Sequence, residues 1–460
     1  MSKNLTFLSK SIYFIIPQIS GKLLGIITLP FLLLIIDKDI YGEIAFLLGI
    51  QQILSTIVTN GAKQSILKFF NTLNIESRKV IIRRTVLQIL FRSSILFASY
   101  LFFDYLFNIK YSSLLVFIIF ISIVLISFET LNDSLMVSLN LVKQNSISNT
   151  FTGAATPLLI LLLINFFPTA EIYFLSISIV LILKIIYALF LIDLEKDLGS
   201  LNINISEYKK YSLNMFSINL SQKISKWSDR IFLGILLTQS ELAEYHAVIQ
   251  LVLALEFITN GMVTAFKSQL FNNPSDEVSK NNNLYESLIY LIFLLTVVGS
   301  SLRFNLGTAI LNQDYWEILS FVPFLAFSVF LSSVFKITSV VGDKYSSLIN
   351  YKKISLITTI YNIFTTAVGL YFFGLKGLFF ALITTQILKI LILKYDIKFQ
   401  NFPLLKLKKF IIATLSFFII ELICGSLSNS GAVTLRWLYS LVLLLIITHS
   451  LSNLKEHESS

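Results

Sequence analysis

Ser212, Asn219, Lys223, Lys226 and Arg230 recur at helical spacing in the middle of the chain. At ~100° per residue they share a sector of roughly 60° on one helix face. The face sets two lysines and an arginine beside neutral hydrogen-bonding groups, within a segment whose far half is apolar enough to enter lipid. A charge at the centre of a bilayer costs at least ~2.5–3.5 kcal/mol, so it turns toward a partner or a watered cavity. Ammonium and guanidinium groups so placed suit phosphate oxygens, which accept charge-assisted hydrogen bonds. The Ser and Asn side chains suit the hydroxyls of a sugar.

Similar stripes lie elsewhere. Ser11, Gln18 and Lys22 align near the start, then Gln52, Ser55, Thr59 and Lys63, then Gln88, Arg92 and Ser99. A fourth stripe has the opposite sign, with Ser122, Glu129, Asp133 and Asn140, and a later one aligns Glu256, Asn260 and Lys267. Lys22, Arg92, Lys223, Lys226 and Arg230 are therefore the candidate anion-binding set. Glu129 and Asp133 are candidates for a proton or sodium site, because a desolvated carboxylate titrates near neutral pH. Each has a plainer reading. Glu129 and Asp133 can pair with Arg92 or another cation, and Asp229 with Lys226 or Arg230. Lys63, Lys184, Lys267, Lys336 and Lys389 are expected to snorkel or to sit near span ends.

No catalytic constellation accompanies these stripes. There is no GxxxxGK[ST] motif, which argues against direct ATP hydrolysis. Three His and one Cys argue against ordinary zinc ligation. Catalytic residues, a metal and a cofactor are all expected to be absent, so any transport must draw on an ion gradient or on substrate pull. The lone Cys424 rules out an intramolecular disulfide.

The elements that carry the stripes follow from composition. The 460 residues are 55% hydrophobic and only 13% charged, with a mean hydropathy of +0.79. A soluble chain would carry about 25% charged residues. Apolar runs near the length needed to cross ~30 Å of hydrocarbon recur throughout, and stretches such as LLVFIIFISIVLI (114–126) show no strand-like alternation. The prediction is an all-α polytopic membrane protein of about fourteen helices. They fall at 11–36, 42–63, 82–106, 112–140, 149–167, 171–192, 212–238, 242–266, 284–304, 316–342, 353–373, 375–396, 408–426 and 433–451. The first run is too long for a cleavable signal and reads as a span. Alternate loops hold twenty-two Lys and Arg on one side and five on the other, which puts both termini in the cytoplasm. The net charge of +10 is then mostly topology and contact with anionic lipid, not a nucleic-acid surface.

A weak repeat organises the helices. At an offset of 201, SIYFIIPQISGK (11–22) matches SLNMFSINLSQK (212–223), with Lys22 against Lys223. A short acidic loop follows each, DKDIYGEIAF (37–46) and TQSELAEYHAV (238–248). The reading is an N-lobe of spans 1–6 (residues 1–192), a cytoplasmic linker (193–211) and a C-lobe of spans 7–12 (212–396). The lobes are related by a pseudo-twofold axis along the membrane normal. Residues 397–460 add spans 13 and 14 and a cytoplasmic tail.

Three segments carry a resemblance. IPQISGKLLGIITLPFLLLIIDKDIYGEIAFLLGIQQIL (16–54) has a polar-interrupted helix, an acidic loop, then Tyr41 and Gly42 opening a new helix. WSDRIFLGILLTQSELAEYHAV (227–248) places Ser228, Asp229 and Arg230 before an apolar run, an acidic loop and Tyr245. FGLKGLFFALITTQILKILIL (373–393) has a Gly-x-x-Gly-x-x-x-Ala opening. Together they resemble the polysaccharide transporter family of the multidrug/oligosaccharidyl-lipid/polysaccharide exporter superfamily. The resemblance implies V-shaped lobes and alternating access in the bacterial inner membrane. It implies an undecaprenyl-pyrophosphate-linked oligosaccharide of O-antigen or capsule type as cargo, moved from the cytoplasmic to the periplasmic leaflet. A polysaccharide polymerase and chain-length proteins are the implied partners. Fourteen spans are more typical of the lipid II flippase of peptidoglycan synthesis, but the Arg-Asp pair expected in its first span is replaced by Gly25-Ile26. A cation-coupled drug exporter is the other alternative; it predicts acids, not lysines, lining the C-lobe.

Overall fold

The computed structural model describes residue 21 and residues 23–70, 73–107, 111–192, 205–272, 278–301, 307–308, 310–345 and 348–395. Lys22, Cys424 and the expected spans 13 and 14 lie outside these residues. Among the described residues the structure is helical and has no β-strand. The helices are α1 (Leu23–Ile35), α2 (Lys38–Thr59), α3 (Ala62–Phe69), α4 (Ile75–Phe107), α5 (Ser113–Ser138), α6 (Val142–Ile164), α7 (Ala170–Leu191), α8 (Ile205–Leu236), α9 (Gln239–Asn272), α10 (Val278–Ser301), α11 (Val322–Tyr345) and α12 (Leu348–Tyr395). Seven helical segments among them are long and apolar enough to cross a membrane. Helix α8 is not one of the seven, although it is 32 residues long; Lys223, Lys226, Asp229 and Arg230 interrupt it.

Large apolar side chains point outward on many helices. Phe190 is 86% exposed, and Leu34, Phe91, Leu162, Ile235, Phe364 and Tyr371 are exposed with it. A water-facing surface of this kind would aggregate, whereas hydrocarbon accepts it without penalty. The interior is correspondingly rich in small polar groups. Ser122, Ser127, Ser134 and Ser138 of α5 are buried, and the first three return their hydroxyl protons to carbonyls of their own helix. Small residues let helix backbones approach closely where no hydrophobic effect drives them together. Helix α5 is accordingly the hub of its unit, packed on α7, α2, α3, α4 and α6. Its N-terminus is capped by Ser112, whose Oγ accepts from the Leu115 N–H at 3.1 Å and donates to Glu171 Oε1 of α7 at 2.8 Å.

The chain forms two compact units, Met1–Ala243 and Glu244–Ser460. The division falls one helix later than the repeat suggests, because α8 packs on α2 and α3. Two features permit this approach. The α2–α3 break at Asn60 and Gly61, both with positive φ, exposes a carbonyl, and Ser212 Oγ of α8 donates to Asn60 O at 2.7 Å. At the other end, a Cβ on Gly42 would stand 1.9 Å from the backbone oxygen of Gln239, so only glycine lets the start of α2 meet the start of α9.

In the second unit, Ile292, Phe293 and Val297 of α10 pack with Phe327, Phe330, Leu331, Val334 and Ile337 of α11 and with Ile383 and Ile390 of α12. Helix α12 is two arms joined at Gly374, whose φ of 57° and ψ of −143° are not helical. The sequence predicts spans at 353–373 and 375–396, and the turn falls between them. A side chain disfavours this conformation, so glycine permits the tight turn between the arms. Thr385 Oγ1 donates to Asn362 Oδ1 at 3.0 Å and ties the arms together.

Candidate functional site: a polar seam and a buried charge cluster

The stripe on α8 meets the stripe on α2 and α3. Asn219 and Gln64 exchange amide hydrogen bonds at 2.9 and 3.2 Å. One turn further on, Lys223 Nζ donates to Gln52 Oε1 at 2.8 Å. Together with Ser212 these contacts form a seam in which Ser212, Asn219 and Lys223 of α8 each have a partner on α2, on α3 or at the break between them. The two stripes are separated by more than 150 residues in sequence, so only tertiary packing joins them. Lys63 of α3 and Lys226 of α8 both lie near enough to Lys223 to repel it. Lys63 and Lys226 are exposed and Lys223 is half-buried. Three ammonium groups thus gather in the first unit, and the Gln52 amide oxygen accepts from the central one, Lys223.

The two arginines of the candidate set are held differently. Arg92 of α4 donates to Val58 O at 3.2 Å. With the Asn60 amide turned so that its oxygen faces the guanidinium, Arg92 donates to it at 2.8 and 3.3 Å. Val58 O is among the last carbonyls of α2, which have no partner within the helix, and a cation there also meets the negative end of the helix dipole. Arg92 therefore finishes helix α2. Arg230 is buried. Its guanidinium lies 3.4 Å from Asp229 Oδ1 and stacks 4.3 Å from the centre of the Trp227 ring. The plainer reading of Asp229 as an ion-pair partner describes this geometry.

Glu129 and Asp133 form a second cluster in the same unit. Lys184, expected to snorkel, is instead 3% exposed and faces them. Its Nζ lies 2.5 Å from Glu129 Oε1 and 3.0 Å from Asp133 Oδ1, and it donates to Asp133 Oδ2 at 3.3 Å. A further hydrogen bond runs from Lys184 to Asn149 Oδ1 of α6. The cation that pairs with the two acids is thus Lys184 and not Arg92. The physical reason is position. Lys184 lies seven residues from Leu191, roughly 10 Å along the helix at 1.5 Å per residue, and the turns between carry no acid to draw it outward. One signal was available: Lys184 is the only Lys or Arg in α7, and Glu129 and Asp133 are the only acids in α5. The formal charges of Glu129, Asp133 and Lys184 sum to one negative, which Lys63 close to Asp133 offsets.

The second unit has its own pair. Lys336, also expected to snorkel, lies 3.0 Å from Glu256 Oε1 and donates to Asn260 Oδ1 at 2.9 Å. In both units a lysine of one helix is held by residues four apart on another, Glu129 with Asp133 and Glu256 with Asn260, the spacing that places two side chains on one face. Among the described residues no group of His, Cys, Asp and Glu is arranged to hold a metal ion.

The family model described as polysaccharide biosynthesis protein matches residues 7–266. That is more than half of the chain, and the protein belongs to this family. No curated protein matches it. Solved structures share its fold at low identity. The lipid II flippase MurJ in an inward closed conformation superposes with a TM-score of 0.68 at 14% identity, covering 96% of this chain and 98% of that one. An inward-facing multidrug resistance MATE family transporter of the MOP superfamily gives 0.62 at 11% identity, over 82% of this chain and 93% of that one. A MOP superfamily transporter from Pyrococcus furiosus, described as having a binding pocket of reverse polarity, gives 0.52 at 12% identity over 84% and 93%. The chain thus shares the polytopic helical fold of these solved proteins, which are described as transporters or a flippase.

Proposed function

We propose that this protein is a flippase that carries polyprenyl-pyrophosphate-linked oligosaccharide repeat units, of O-antigen or capsule type, across the bacterial inner membrane. Cargo moves from the cytoplasmic to the periplasmic leaflet by alternating access, with both termini cytoplasmic. The observation that carries the reading is the gathering of Lys63, Lys223 and Lys226 on the seam between α3 and α8. Three ammonium groups, two of them exposed and one half-buried, repel one another, and a pyrophosphate offers them several strong acceptors. The seam's Gln52, Gln64 and Asn219 match sugar hydroxyls. A cationic drug would be repelled from the same place. Lys22 is kept as a fourth contact, by its repeat match to Lys223. Arg92 and Arg230 act as positioning residues for α2 and α8. A polymerase and chain-length proteins remain the proposed partners.

Glu129 and Asp133 serve the coupling step. Glu129 and Asp133 outnumber Lys184 by one, so with Lys63 turned from Asp133 toward the cargo the cluster takes up one proton or one sodium ion. A transporter shifts between states only through differential affinity for them, so occupancy of this cluster differs between the inward and outward states. Reconstitution into liposomes with a fluorescent polyprenyl-diphosphate sugar tests the reading. Wild-type protein should expose the lipid to the opposite leaflet, and K223A/K226A should lose exchange while inserting at normal levels. Unchanged exchange in that variant would remove the assignment. The fold shared with the lipid II flippase over nearly the whole chain favours one second reading, that lipid II is the cargo. Competition between lipid II and a repeat-unit lipid in the same liposomes separates the two.

A further inference from the structure

We propose that the outward face at the start of α4 binds the headgroup of an anionic phospholipid, with Lys79 and Arg83 as its phosphate contacts. Both side chains are exposed and stand four residues apart, so they share one face of the helix. The same face continues as a stripe of exposed apolar side chains, Val80, Leu87, Phe91 and Ile95. Arg83 stands inside this stripe, three residues after Val80 and four before Leu87, which are 52% and 56% exposed. Its own helix offers it no acid at pairing distance, since positions 79, 80, 86 and 87 are Lys, Val, Val and Leu. Beyond Arg83 the helix runs on to Phe107, a rise of about 36 Å at 1.5 Å per residue, which is enough to cross ~30 Å of hydrocarbon. The apolar stripe then lies among acyl chains, and Arg83 and Lys79 lie at the level of the lipid phosphates. A soluble anion would meet only the cations. A phospholipid meets the cations with its phosphate and the stripe with its chains, and a net negative headgroup is drawn to Lys and Arg at that depth.

Packing on the inner face holds the helix in this rotation. Arg78 is buried, and its Nε donates to Phe70 O at 2.9 Å while its guanidinium lies 5.1 Å from the centre of the Phe70 ring. Asn74 Oδ1 accepts from the Ser77 N–H at 2.9 Å and caps the helix. Leu73 and Ile81 pack with Phe69 of α3 and Tyr208 of α8. With Arg78 and Ile81 turned inward, Lys79 and Arg83 face outward. Lys68 adds an exposed cation at this end of the unit, its Nζ 4.2 Å from the centre of the Tyr211 ring and 4.9 Å from that of Phe69. Glu76, the acid in the first turn of α4, stands three residues before Lys79, at the spacing of a helical pair, so Arg83 is the principal contact. No residue of the polar seam takes part, and binding is read on the purified protein without transport.

The test is native mass spectrometry of the full chain in detergent, titrated with phosphatidylglycerol or with zwitterionic phosphatidylcholine. Wild type should retain phosphatidylglycerol at least about tenfold more tightly. K79Q/R83Q should weaken phosphatidylglycerol roughly thirtyfold, about fivefold for each cation removed beside an anionic headgroup. R83K should keep most of the affinity, and K376Q, which removes an exposed cation from the second unit, should bind as wild type does. If K79Q/R83Q fails to fold, wild type decides: a photoactivatable phosphatidylglycerol should crosslink to the peptide spanning residues 79–95. Equal affinity for the two lipids, wild-type binding by K79Q/R83Q, or crosslinks confined to other helices would overturn the site. Displacement of the lipid by inorganic phosphate at constant ionic strength would overturn it too, and would assign the two cations to a soluble anion.

Discussion

Replacing Lys184 by Met removes the ammonium that is bonded to both Glu129 and Asp133 and keeps roughly the length of the side chain. The two carboxylates are then left without the ammonium that joins them, and Asn149 Oδ1 loses its donor. Breaking a buried ion pair by deleting one partner costs about 3–5 kcal/mol, because the remaining charge stays desolvated. The carboxylates are 22% and 20% exposed, so water offsets part of this and the expected loss is about 3 kcal/mol. The assay is thermal unfolding of purified protein in detergent, with K184M, E129Q/D133N and the triple variant completing a cycle. K184M should unfold several degrees lower than wild type. The triple variant should recover most of the loss, since neutral groups of similar shape can replace a buried charge cluster at little net cost. If K184M were as stable as wild type, or the triple variant no better than K184M, then Lys184 would not be the counter-ion of the cluster and the coupling reading built on it would fail.

Four further outcomes follow from the same geometry. G42A should prevent the start of α2 from seating against Gln239, where a Cβ would stand 1.9 Å from a backbone oxygen; size-exclusion profiles of the tagged protein should show aggregation in place of a single peak. G374A should cost roughly 1–2 kcal/mol, because the hairpin in α12 uses a positive φ, and a lower unfolding temperature would register it. R92A should expose the last carbonyls of α2 and lose about 1.5–3 kcal/mol for a hydrogen bond to a charged donor, whereas its lipid exchange per folded molecule should stay near wild type; a selective loss of exchange would return Arg92 to the substrate contacts. Exchange by the wild type should weaken as salt rises, since Lys63 and Lys226 are exposed and screened, and no salt dependence would count against an anionic cargo held at the seam.

Composition, periodicity and loop charge determine much of this protein before any coordinates. The helical class follows from a charged content too low for a water-soluble surface and from apolar runs of membrane length. The hairpin at Gly374 and the acidic entry at Tyr41-Gly42 stand at the places where the sequence breaks its own patterns. The polar stripes were legible too, because a helix forces residues three and four apart onto one face. What the stripes face was decided only by packing. Lys184 and Lys336 read as snorkelling lysines from spacing alone, yet each is clasped by side chains more than fifty residues away. Arg92 and Arg230 sit on the expected faces but are spent on a helix end and on Asp229 with Trp227. A sequence states which direction a side chain leaves its own helix. Whether that direction meets lipid, water or an opposite charge depends on which helix lies across from it, and that is set by long-range contacts no local pattern encodes.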